Sequence, residues 1–321
     1  MLDNMSVEEM AQYLGCDEAP VDFALFWENE LSKLSEWEPV YELKEMAVVL
    51  AFAVCYELRF ISLDGSSIYS KVILPKKLKP TSVMLRFHGY QGRSADWSEA
   101  FKYVAEGVAV VMMDVRGQAG KSEDFSQVKG NTVKGHIVRG MLEGPSHLFY
   151  RQVYLDIGLL GKIIGQLPQT KGCPLISFGE SQGGALALIA GAILPEVERV
   201  FAIYPFLSDF RRVLALKYEA EAYDDLYRHF KFTDPFHRQA EQVFETLGYI
   251  DVKNFASLIK GDVTMICGLL DDVCPPSTQF AIYNRLTAVK EMLIMPEYGH
   301  EALNVDCQDL LFSWATGKNL C

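Results

Sequence analysis

Short apolar runs, separated by longer stretches of mixed polarity, set the rhythm of this chain. They fall at 82–87, 108–113, 174–178, 198–203, 262–267 and 290–295, and are rich in Val, Ile, Met and Phe. Helical spacing marks the intervals near 96–105, 148–167, 182–193, 276–286 and 304–316. Strands alternating with helices predict an α/β fold, a mainly parallel sheet with helices on both faces. The near-continuous apolar character of the strands agrees, because such a sheet is buried on both sides. Two leading strands are predicted at 47–62 and 69–74, separated by the Asp64-Gly65 turn signal. Ahead of them, Phe23, Phe26, Trp27 and Leu31 share one side of a helix over 21–35, within a helical N-terminal extension of about 1–45.

Two intervals exceed simple connections. Residues 114–147 hold glycine, serine and charged residues and read as an ordered loop. Residues 205–258 carry Tyr218, Tyr223, Tyr227, Phe230, Phe232 and Phe236 among charged residues, and read as a helical insertion after the sixth strand. The organisation expected is a single domain over 1–321 with that insertion. No repeat or low-complexity tract interrupts it.

Composition narrows the chemistry. With 321 residues, 50% hydrophobic, the chain can bury a large core. A net charge of −12 argues against nucleic acid and anionic membrane surfaces as partners, and is compatible with a neutral substrate such as a sugar ester. Seven dispersed cysteines, with no C-x-x-C pair, read as reduced thiols. The acidic start Met1-Leu2-Asp3-Asn4 lacks the apolar stretch of a signal peptide, and the longest apolar run, 46–56, is too short to span a membrane. A cytoplasmic protein is expected.

The candidate chemistry centres on Gly179-Glu180-Ser181-Gln182-Gly183, which follows the 174–178 strand and opens a helix. This is the pattern of a nucleophile elbow, where a serine sits on a strained strand-to-helix turn. In the α/β-hydrolase order, Ser is followed by an acid and then a His. Of six histidines, only His300 lies in a loop after a late strand, where a base can reach the elbow. One strand earlier, Leu269-Leu270-Asp271-Asp272 offers two acids. The preceding Leu-Leu favours Asp271 pointing inward, with Asp272 as the fallback. The acid would accept the second imidazole N–H and fix its tautomer. Oxyanion donors are expected from the backbone N–H of Gln182, at the helix start, and of Tyr90, in His88-Gly89-Tyr90-Gln91-Gly92 after the 82–87 strand. His88 is expected to brace that loop. Gly120-Lys121-Ser122 imitates the end of a phosphate loop, but Val115 stands where that motif needs glycine. His300-Glu301 lacks a second histidine at ligand spacing. Nothing here calls for a cofactor or a metal.

Taken together these motifs resemble the acetyl xylan esterase and cephalosporin C deacetylase family, carbohydrate esterase family 7. Its signatures R-G-Q, G-x-S-Q-G-G and H-E stand here as Arg116-Gly117-Gln118, Gly179 to Gly184 and His300-Glu301. Asp22-Phe23 to Phe26-Trp27, Arg139-Gly140-Met141, Tyr150-Arg151 and Cys274-Pro275-Pro276-Ser277 are similar too, so the likeness covers nearly the whole chain. The resemblance implies Ser181, Asp271 and His300 as the triad, and the amides of Tyr90 and Gln182 as the oxyanion hole. It places Arg116 and Gln118 near the site, shaping it. It also implies a ring-like homohexamer, and the deacetylation of small esters such as acetylated xylo-oligosaccharides and the acetyl ester of cephalosporins. Two rivals stand beside this reading. One is a serine peptidase of the prolyl oligopeptidase type, although no propeller-like repeat is present. The other is an inactive hydrolase fold kept as an assembly module, which predicts a missing triad member.

Overall fold

The computed structural model describes residues 3–128, 135–217, 220–303 and 305–320. Tyr218 therefore lies outside the described residues, as does part of the 114–147 loop. The elements in chain order begin with α1 (Val7–Met10), α2 (Phe23–Glu36), β1 (Tyr41–Glu45), β2 (Ala53–Ile61), β3 (Ser67–Pro75) and β4 (Ser82–Phe87). Next come α3 (Phe101–Ala105), β5 (Val108–Met113), α4 (Phe149–Gln166), β6 (Leu175–Glu180), α5 (Gln182–Ile193) and β7 (Val197–Ile203). The chain closes with α6 (Phe210–Leu216), α7 (Asp224–Arg228), α8 (Ala240–Gly248), β8 (Asp262–Gly268), α9 (Pro276–Arg285), β9 (Lys290–Met295) and α10 (Cys307–Thr316).

The strands form one sheet in the order β1-β2-β3-β5-β4-β6-β7-β8-β9. Strands β4 to β9 pair in parallel, while β1, β2 and β3 join antiparallel at one side. The predicted α/β class and mainly parallel sheet are therefore present. One strand prediction needs correcting. The stretch read as a single strand at 47–62 is the end of a hairpin: β1 and β2 pair from Tyr41↔Phe60 to Glu45↔Tyr56, and 46–52 connect them. The apolar run at 46–50 misled the reading because it lies largely in the connection, with Val48 and Val49 exposed. β1 itself is short, charged and mostly solvent-facing, as suits an edge strand that must not pair with another chain. With β1 counted, the 205–258 insertion follows the seventh strand rather than the sixth.

Side chains alternate between two apolar layers, following the period of two along each strand. On β5, Ala109, Val111 and Met113 join the layer that includes α4 and α5. Val108, Val110 and Met112 join the opposite layer with Tyr103 and Val104 of α3 and Leu311 and Ala315 of α10. Burial on both faces is why this strand shows no polar alternation. All the functional motifs lie at one edge of this sandwich, where the parallel strands end.

The N-terminal extension is tied to the same core. Trp27 of α2 is buried, packs on Tyr154 and Phe255, and donates its indole N–H to the Tyr249 carbonyl at 2.8 Å. Arg151 of α4 pairs with Glu30 of α2. Replacing Trp27 by Ala removes a buried aromatic and strands a carbonyl. We expect Trp27→Ala to lower unfolding stability by about 3–5 kcal/mol in equilibrium urea titrations.

Candidate active site

The elbow starts from a backbone constraint. Ser181 joins β6 to α5 at φ 57° and ψ −120°, a conformation side chains rarely adopt. The turn closes only because neighbours lack side chains. A Cβ on Gly179 would lie 2.2 Å from the Gly183 backbone, and one on Gly184 would lie 2.8 Å from the Ile203 carbonyl oxygen. The glycine beyond the pentapeptide thus admits the chain leaving β7. That chain in turn anchors the serine: Ile203 C=O accepts from Ser181 N–H at 2.9 Å, and Phe206 N–H donates to Ser181 C=O at 3.1 Å.

The loops after β8 and β9 bring Asp271 and His300 to this turn. His300 Nε2 lies 3.0 Å from Ser181 Oγ, and Nδ1 lies 3.1 and 3.0 Å from the two carboxylate oxygens of Asp271. Asp271 is fully buried while Asp272 is exposed, so of the two acids it is Asp271 that meets the imidazole. The carboxylate is oriented by further donors: the N–H groups of Val273 (2.9 Å) and Cys274 (2.7 Å), and Gln279 Nε2 (3.2 Å). The His300 loop is clipped by Glu301, whose carboxylate accepts from Gly299 N–H at 2.7 Å.

Asp271, Cys274 and His300 also offer ligand atoms within 4.8 Å of one another. A cation held there would have to displace the His300–Asp271 contact and compete for a carboxylate already taken up by backbone donors. Burial and the Asp271 charge push the Cys274 thiol well above its ordinary range, so it stays protonated. The donor set suits proton handling better than metal binding.

The two oxyanion candidates lie on separate segments, at the start of α5 and in the loop after β4. Gln182 begins α5, where first-turn N–H groups have no partner inside the helix. Its buried side chain ties three segments together. The Gln182 oxygen accepts from Gln118 Nε2 (2.7 Å) and Tyr150 Oη (2.9 Å), and its Nε2 donates to the Gln118 oxygen (3.1 Å) and the His88 carbonyl (3.3 Å). Gln118 is thus placed directly against the elbow. Tyr90 sits in the loop after β4, its hydroxyl accepting from His136 N–H and contacting His136 Nδ1, both at 3.0 Å. His88 braces this loop from within. Its Nε2 accepts from Val115 N–H at 2.9 Å, which leaves the proton on Nδ1 to donate to the Gly89 carbonyl at 2.8 Å. Burial pushes the ring's pKa down, so it stays neutral.

Arg116 is elsewhere. It is fully buried beneath the loop, not lining the site, with Nε 2.7 Å from Asp156 and Nη1 2.5 Å from Asp64. Its Nη2 donates to Ser62 Oγ at 2.8 Å, and Asp124 lies at 3.5 Å. Burial works against the guanidinium charge, but Asp156 and Asp64 outweigh it and push the pKa further up. Arg116 shapes the site only through the loop that carries Gln118. Tyr150 stood in the sequence only as part of a family-like stretch, with no role, and Gln279 was not found because it reaches Asp271 from α9 without belonging to a motif.

Residues 1–318 match the acetyl xylan esterase (AXE1) family. Acetyl Xylan Esterase 1 from Thermoanaerobacterium sp. JW/SL YS485 is 40% identical, with a TM-score of 0.94 over 98% of this chain and 99% of that one. The acetyl xylan esterase of Paenibacillus sp. R4 is 30% identical, with a TM-score of 0.91 over 98% and 99%. Acetyl esterase Axe7A of Xylanibacter ruminicola is 28% identical over 288 residues, 88% of this chain. This chain spans 63% of the length of that curated relative. More distant esterases, at 15–16% identity and TM-scores of 0.54, share the fold alone. The sheet order and the elbow are those of the α/β-hydrolase fold. Within it, the chain belongs to the acetyl xylan esterase family.

The Arg116 cluster is a sharp test of the loop's foundation. Arg116→Met leaves the buried Asp156 and the half-buried Asp64 without their cation, while Asp124 keeps Arg139. We expect it to cost about 3–5 kcal/mol of stability, measured by urea unfolding.

Proposed function

We propose that this chain is a serine esterase that removes acetyl groups from small esters, including acetylated xylo-oligosaccharides and cephalosporin-type acetates. The observation that carries this reading is the unbroken contact series Ser181–His300–Asp271, at 3.0 Å and 3.0–3.1 Å. His300 takes the proton from Ser181 Oγ as that oxygen attacks the acetyl carbonyl. The tetrahedral oxyanion is held by the N–H groups of Gln182 and Tyr90, where each such donor contributes roughly 2.7–4 kcal/mol. His300 returns the proton to the departing alcohol, leaving an acetyl-enzyme. Water then gives a proton to His300 and adds to the acyl carbon, and acetate leaves as Ser181 recovers its proton. Asp271 stays ionised throughout, orienting the imidazole and stabilising its cationic form. No step requires a cofactor.

The proposal extends to a cytoplasmic, ring-shaped homohexamer that restricts access to small substrates. Six described cysteines are unpaired, which fits a reducing compartment, and no helix among the described residues is long and apolar enough to cross a membrane. Exposed Phe232 and Phe236 on the insertion offer contact surface for assembly.

Two measurements test the reading. Ser181→Ala is expected to lower kcat/KM on p-nitrophenyl acetate by at least about 10⁴-fold with an unchanged circular dichroism spectrum. In the companion pair, Asp271→Asn should lose about 10⁴-fold while Asp272→Asn stays within about twofold. A substrate panel addresses specificity: acetyl should be preferred over butyryl and longer acyl groups on small alcohols. Faster cleavage of peptide amides, or of intact xylan polymer, would overturn the assignment.

A further inference from the structure

The chain leaving β7 makes more contacts with the site than an ordinary connection. Ile203 and Phe206 bond the two backbone groups of Ser181, as described, and between them Tyr204 N–H donates to the Ile266 carbonyl of β8 at 2.8 Å. β8 leads directly into the loop of Asp271. Tyr204 is held at φ 32°, a strained value for a residue with a bulky side chain, and is almost fully buried. Its ring lies against His300, with centroids 4.5 Å apart and planes at 48°. Its hydroxyl reaches the Glu180 carboxylate at 3.5 Å. Burial and Glu180 push that hydroxyl well above its ordinary range, so it remains a neutral donor.

The geometry of the imidazole explains why such a ring is needed. Hydrogen bonds at Nδ1 and Nε2 are directed in the plane of an imidazole, and here they fix the line from Asp271 to Ser181. They restrain rotation about that line only weakly. A surface against the imidazole face supplies the missing restraint. We propose that Tyr204 is a positioning residue for His300, its ring bracing the imidazole face while strained backbone and the Glu180 contact hold the ring in place. Gly184 belongs to the same device. Without a Cβ it lets Ile203 and Pro205 pass close to the elbow helix, where a side chain would lie 2.8 Å from Ile203 O and 3.3 Å from Pro205 Cα.

This inference rests on His300 acting as the base, and the test separates the two. In the full chain, Tyr204→Leu and Tyr204→Met should lower kcat on p-nitrophenyl acetate about ten- to a hundredfold, as expected of a misplaced base. KM should stay within about twofold, because ground-state binding is untouched. Tyr204→Phe keeps the ring and should remain within about fivefold of the parent. Proton NMR in a Ser181→Ala background gives a readout free of turnover. The His300 Nδ1–H signal should exchange slowly with Tyr or Phe at 204, and disappear into solvent exchange with Leu or Met. Native kcat or an undiminished signal in either non-aromatic variant would overturn the proposal. So would a Phe variant as impaired as Leu, or a failure of both non-aromatic variants to fold while Phe folds normally. Full activity in Ser181→Ala would instead refute the acyl-transfer reading, and the NMR comparison would still decide the role of Tyr204.

Discussion

Everything at this site is arranged around a backbone that must turn sharply at Ser181. A non-glycine residue at φ 57° between a strand and a helix does not hold that conformation unaided. It is kept there by hydrogen bonds to Ile203 and Phe206 on both sides, and by packing that tolerates no side chain at Gly179 or Gly184. The strain has a use. It presents Oγ to His300 while leaving the N–H groups of the α5 start without helical partners, so the proposed nucleophile and oxyanion donor come from one turn.

The supporting contacts divide by chemistry. Close to the reacting atoms the partners are uncharged or singly charged, as with the Gln182 side chain between Gln118, Tyr150 and the His88 carbonyl. Deeper in the fold, Arg116 faces Asp64, Asp124 and Asp156. Such a buried cluster adds little net stability over a packed apolar core, but removing one member leaves charges stranded. Its effect is to make one loop conformation far better than its neighbours. Gln118, two residues on, inherits that definition. The preorganisation of the Ser181 turn therefore reaches several layers outward, from a strained φ to an amide clamp to a buried ion cluster.

Much of this was legible in the residues. The apolar runs located the parallel strands because strands buried on both faces leave no other pattern. Ser181, Asp271 and His300 were legible because each follows a strand at the same sheet edge; Asp271 was preferred over Asp272 from the preceding Leu-Leu, although Leu270 itself is exposed. What could not be read depends on contacts remote in sequence. The hairpin of β1 and β2 was merged into one strand because Val48 and Val49 are apolar yet exposed, and the true edge strand Tyr41–Glu45 is mostly charged. Arg116 carries a motif position but lies beneath the loop, since neither charge nor spacing reveals that three carboxylates converge on it. Tyr204 gave no signal, because an aromatic at the end of a buried strand looks like any other core residue.

The 205–258 insertion follows directly on Tyr204, the residue after the end of β7. In the junction 203–206, Ile203 and Phe206 are bonded to the serine backbone and the Tyr204 ring lies against the imidazole, before the chain departs into α6, α7 and α8. The insertion is therefore mounted on the catalytic turn like a lever on its bearing. A load applied to the outer helices, by another protein surface or by heat, bears first on the contacts that align nucleophile and base. Turnover by such an enzyme would register loosening of its periphery before the sheet itself begins to open.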